Sequence, residues 1–155
     1  SLEFTHARYA LHAAYEASGL GGAGSLLLAP AYHCRTMLDP ALHLGAEVSF
    51  YRLGSALEPD LASVDEMLSR HAGIAKVVLA THYFGFAVPL QALARLCEQH
   101  GALLVEDCSH VCPSQYASAQ LGVTGDFAVG SLYKFSAAET GGLLWRHPRE
   151  RLQSL

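Results

Sequence analysis

Lysine is almost missing from this sequence: among 155 residues only Lys76 and Lys134 carry an ε-amine. Chemistry that needs an amine nucleophile therefore has two candidates. Charge is sparse as well, at 15% of residues with a net of −4, and Lys and Arg nowhere cluster. That argues against a nucleic-acid partner, since a polyphosphate needs a basic face. No apolar run approaches the ~18 residues of a membrane-spanning helix. The opening Ser1-Leu2-Glu3-Phe4 has neither the basic nor the apolar part of a secretory signal. Four cysteines (Cys34, Cys97, Cys108, Cys112), sparse and in apolar surroundings, do not make a disulfide framework. A cytoplasmic location is the expectation, with no membrane partner. Internal repeats, low-complexity tracts and linkers are lacking too, so the length predicts one domain with its own core.

What is present is a 51% hydrophobic composition in which short apolar runs alternate with helical patterns. Residues 25–29, 47–51, 76–81 and 102–106 read as strands, and 127–133 and 142–145 as two more. Helical spacing is expected over residues 5–18, 36–44, 61–71 and 89–100, with Asp60 as an N-cap, Pro89 in a first turn and Gly101 as a stop. Residues 108–124 read as irregular. The alternation predicts a three-layer α/β/α domain with a mainly parallel sheet. The charged stretch 146–155 reads as the start of a further helix or a linker.

Three motifs mislead. Gly19-Leu20-Gly21-Gly22-Ala23-Gly24 fits G-x-G-x-x-G, but a dinucleotide loop follows a strand and opens a helix, and here the order is reversed. Ser131-Leu132-Tyr133-Lys134 fits S-x-x-K without the companion elements of penicillin-binding enzymes. Cys108, His110 and Cys112 match no standard zinc pair, so no metal is expected.

Functional residues of a parallel sheet gather outside the carboxyl ends of its strands. Four such ends carry chemistry: 30–34, His82, Asp107 with His110, and Ser131 with Lys134. Asp107 follows the run Ala102-Leu103-Leu104-Val105-Glu106, where a half-buried carboxylate needs a cationic partner. Lys134 follows an apolar strand, where partial desolvation frees an amine to attack a carbonyl. Ser131 offers a hydroxyl suited to a phosphate, and Gly141-Gly142 allow close backbone approach.

These residues resemble the DegT/DnrJ-type sugar aminotransferases. The matching stretches, in order, are Leu28-Ala29-Pro30-Ala31-Tyr32-His33, Thr81-His82-Tyr83-Phe84-Gly85, Val105-Glu106-Asp107-Cys108-Ser109-His110, Gly125-Asp126-Phe127, and Ser131-Leu132-Tyr133-Lys134 with Gly141-Gly142. The resemblance implies a pyridoxal 5'-phosphate (PLP) enzyme of the aspartate-aminotransferase, or type I, fold. It implies that an amino group moves from an amino-acid donor to a keto sugar, in a homodimer. It assigns the Schiff-base lysine to Lys134, the partner of the pyridine nitrogen to Asp107 and the contact to the ring hydroxyl to His110. Ser131 falls to the phosphate, together with Arg8 and Tyr9 at the opening of the first helix. His33, or Tyr32 beside it, is expected to stack on the ring, with Cys34 the departure at that place. Residues 1–145 are then a cofactor-binding large domain, incomplete at both ends, and a non-catalytic remnant serving binding or dimerisation is the alternative.

Overall fold

The computed structural model describes residues 1–115 and 121–146. Seven strands, β1 (Leu2–Phe4), β2 (Ser25–Pro30), β3 (Glu47–Tyr51), β4 (Ala75–Thr81), β5 (Leu103–Asp107), β6 (Phe127–Ser131) and β7 (Gly142–Arg146), join in one sheet. Their order is β1-β7-β6-β5-β4-β2-β3. The pairs from β3 to β6 are parallel, and β7 runs antiparallel to both β6 and β1. Four helices, α1 (Ala7–Ala17), α2 (Arg35–His43), α3 (Leu61–Arg70) and α4 (Gln91–Gln99), cover the sheet.

Strand alternation sorts the core into two layers. Leu27, Val77, Leu79, Val105 and Val129 pack under α1 and α2. Leu28, Val78, Ala80 and Leu104 pack under α3 and α4. Successive side chains of a strand point to opposite faces, so one apolar run serves both layers. The fold is α/β in three layers with a mainly parallel sheet, as the alternation of elements predicts.

The expected elements stand with a few shifts. Asp60 caps α3, its side chain accepting a hydrogen bond from the Ser63 N–H. The helix expected over 89–100 begins later, at Gln91, with Pro89 ahead of it. Just upstream, the Val88 N–H donates to the buried His82 Nδ1 at 3.0 Å, outside any helical hydrogen-bond pattern. The strand expected over 127–133 stops at Ser131, because its partner β7 begins opposite, at Gly142. The chain then turns through a short 3-10 segment, Leu132–Lys134. β1 was not expected; three residues of alternation are too short a signal to read. Of the stretch 146–155, Arg146 ends β7, and the remainder lies outside the described residues.

Candidate active site at the carboxyl ends of the strands

The same alternation that builds the core aims the polar residues. On β5, Val105 and Asp107 face α1, while Leu104 and Glu106 face the other layer. On β6, Phe127, Val129 and Ser131 share the α1 face. Asp107 and Ser131 are both buried, at 4% and 0% exposure. They meet there in a small cleft of about 70 Å³.

Three walls close the cleft. The first is the start of α1, with His6, Ala7 and Arg8. His6 is the N-cap residue but supplies no side-chain cap. The opening N–H groups of an α-helix have no partner inside it, and they form an anion site. The second wall is the start of α2, with Cys34, Thr36 and Met37, tied to α1 by the Tyr15 hydroxyl donating to the Met37 carbonyl at 3.0 Å. The third is the 3-10 turn with Tyr133 and Lys134. Ser109 and His110, just past β5, complete the lining.

Gly142 seats the first wall. A Cβ built there would stand 2.4 Å from the His6 carbonyl carbon and 2.7 Å from the Ala7 nitrogen. The Gly141 N–H donates to the Thr5 carbonyl at 2.8 Å beside it. The close approach allowed by Gly141-Gly142 is thus made to the backbone that opens α1. Gly142→Ala is expected to cost about 1–3 kcal/mol by overpacking. In thermal unfolding the melting temperature should fall by several degrees; an unchanged value would show that the strand can yield.

Electrostatics join the groups across the cleft. The His110 imidazole is held below its ordinary range, first by burial and then by the Lys134 ammonium, with Asp107 acting in the opposite sense. His110 therefore feels both charges. The Asp107 carboxylate accepts from the Ser109 N–H at 2.8 Å, which fixes its orientation. Ser131 Oγ, Ser109 Oγ and His110 Nδ1 are buried with no hydrogen-bond partner. Polar atoms buried in this way await a partner. Three of them lining one cleft fit a polar, anionic ligand.

Of the residues expected to form the site, Asp107, His110, Ser131, Lys134 and Arg8 line this cleft. Tyr9 faces outward from α1 and lines a neighbouring groove with His12 and His43. His33 is turned away from the cleft: its ring stacks on Phe50, at 4.6 Å and 6° between planes, and its Nδ1 lies 3.0 Å from the Pro30 carbonyl oxygen. His82, expected on the same rim, continues the Val78–Ala80 face and is buried on the opposite side of the sheet. Unforeseen are Ser109, Thr36, His6 and Phe84. Phe84 adopts a positive φ of 54° and stacks on His110 at 5.7 Å. A left-handed aromatic residue is a strained one, and no sequence pattern announces it.

On the far face, His82, Glu106 and Cys108 bring donor atoms within 4.8 Å of one another. The Glu106 carboxylate already accepts from the Gly122, Thr124 and Gly125 N–H groups and from His82 Nε2. Burial pushes the Cys108 thiol far up, so it stays protonated. The trio is a structural lock, not an open ligand set.

This architecture, with its polar groups at the carboxyl ends of β2, β5 and β6, is that of the large domain of type I PLP-dependent transferases. The chain matches the DegT/DnrJ/EryC1/StrS aminotransferase family over residues 2–148 and belongs to it. GDP-perosamine synthase of Vibrio cholerae is 27% identical over 138 residues, covering 87% of this chain and 36% of that protein. The crystal structure of the aminotransferase TlmJ from Streptoalloteichus hindustanus superposes with a TM-score of 0.77 at 25% identity, covering 99% of this chain and 42% of that one. 3-Amino-5-hydroxybenzoic acid synthase gives a TM-score of 0.80 at 21% identity, covering 99% and 40%. The chain thus spans little more than a third of the length of that curated relative.

Proposed function

We propose that this chain is the cofactor-holding part of a PLP-dependent aminotransferase that moves an amino group from an amino-acid donor to a keto sugar, a nucleotide-linked one, as a cytoplasmic homodimer. The observation that carries the reading is one cleft lined by the Lys134 amine, the Asp107 carboxylate and three buried unpartnered polar atoms, beside an uncapped helix start. The similarity to GDP-perosamine synthase supports the sugar substrate. PLP, when bound, supplies an aldehyde that carries the amino group and a ring that withdraws electrons. Lys134 would hold that aldehyde and then take and return the substrate proton. Asp107, oriented by the Ser109 N–H, would keep the ring nitrogen protonated. Ser131 and the first-turn N–H groups of α1 would hold the phosphate, with Arg8 adding positive charge. His110 would meet the ring hydroxyl.

Titration of the protein with PLP tests this directly. A visible absorption band should saturate at one equivalent per chain, and an amino-acid donor should discharge it. Turnover should then follow when a nucleotide-linked keto sugar is supplied. A band without discharge by any donor would favour the non-catalytic binding module; no band would remove the reading altogether.

A further inference from the structure

We propose that Cys34 is the residue that contacts the bound ring on the side away from Lys134, and that its thiol is therefore a modification site open in the cofactor-free protein and covered in the loaded one. The inference rests on the PLP reading above. Its first ground is the sheet order. Asp107 ends β5, which lies between β6, the strand leading to Lys134, and β4 with β2, the strand leading to Cys34. Lys134 and Cys34 thus enter the cleft from either side of Asp107, and a planar ring held at Asp107 would lie between them.

The neighbours that could compete for this place are engaged elsewhere. His33 is stacked on Phe50. The Tyr32 ring packs against Tyr83 and Phe84, at 5.4 and 6.3 Å, and does not line the cleft. Cys34, by contrast, is exposed yet held: it is the N-cap residue of α2, its N–H donates to Met37 Sδ at 3.4 Å, and its Sγ lies 2.9 Å from Thr36 Oγ1. An independent sign that a ligand fills the space is the Ser131 hydroxyl, fully buried, without a partner and lining the same cleft.

Iodoacetamide labelling, read by peptide mass mapping, tests the proposal on the unmutated protein. The Cys34 sulfur bonds the methylene carbon as the carbon–iodine bond breaks; iodide leaves and the thiol proton goes to solvent. With PLP at about ten times its dissociation constant, Cys34 labelling should slow roughly tenfold. Cys112, partly exposed and outside the cleft lining, is the internal control whose rate should not change. Inorganic phosphate alone, which fills the helix start without a ring, should leave Cys34 as reactive as before. Protein labelled beforehand should take up PLP more weakly. A visible band with an unslowed Cys34 rate, or equal protection by phosphate, overturns the contact while leaving the cofactor reading standing. Absence of any band overturns both.

Discussion

Replacing Lys134 with alanine is expected to abolish covalent capture of PLP and to lower turnover by at least ~10²–10⁴-fold, the range for losing a positioned proton-transfer group. Loss of the tether adds to that, because in the proposed role the amine both bonds the aldehyde and moves the proton. The near absence of lysine makes the experiment clean. The other ε-amine, Lys76, sits at the opposite end of its strand, about 17 Å from the carboxyl edge at ~3.3 Å per residue. It is buried there, with its Nζ donating to the His71 carbonyl at 3.4 Å. Borohydride treatment of the PLP-loaded protein should therefore fix the cofactor to the peptide carrying Lys134 and not to the one carrying Lys76. Lys134→Arg keeps the charge but not the nucleophile, and should bind PLP reversibly without any fixable adduct. An adduct of normal stoichiometry in Lys134→Ala would end the assignment.

Much of this was legible in the sequence, and the reason is the period-two alternation of strands. Once β5 and β6 are placed, the faces of Asp107 and Ser131 follow from those of Val105 and Val129. The same parity, applied to β4, puts His82 with Val78 and Ala80 on the far face. Reading it only as a strand-end residue sent it to the wrong side. Past the strand ends, parity stops. Whether Tyr32, His33 or Cys34 enters the cleft depends on how the chain turns into α2 and on Phe50 of the neighbouring strand receiving the His33 ring. The Tyr9 side chain leaves α1 toward the neighbouring groove, a direction that its place at the helix start does not fix. Ser109 could have been found, since a carboxylate at a strand end commonly takes the N–H two residues on.

The carboxylate next to Asp107 governs stability, and its removal should be the largest folding effect in the chain. Glu106 is 1% exposed, and its oxygens accept from the Gly122, Thr124 and Gly125 N–H groups, at 2.9 and 2.6 Å for the first two. His82 joins them at 3.2 Å; because its Nδ1 accepts from the Val88 N–H, the proton is on Nε2, facing the carboxylate. One side chain thus ties the loop before β6 and the turn after β4 to β5. Glu106→Ala leaves several buried donors unpaired at once, an expected cost of about 3–5 kcal/mol and roughly 10 °C or more in melting temperature. The pH dependence follows from the same contacts. Burial pushes the Glu106 carboxyl up, but the His82 hydrogen bond and the Gly125 and Gly122 N–H groups outweigh it, and the folded-state value lies below the ordinary one. A group depressed on folding contributes its stability above its unfolded value, about 4.3, and loses it as pH falls through the folded value. Thermal melts taken at successive pH values from neutrality downward should show stability falling below about pH 4. The carboxyl of the partly exposed Asp60 is also lowered, first by the Ser63 N–H it accepts, so an Asp60→Asn variant is the needed control. Glu106→Gln, which cannot ionise, should start less stable and lose less on acidification. Parallel acid profiles for Glu106→Gln and the unmodified protein would show that the buried carboxylate is not what acid attacks.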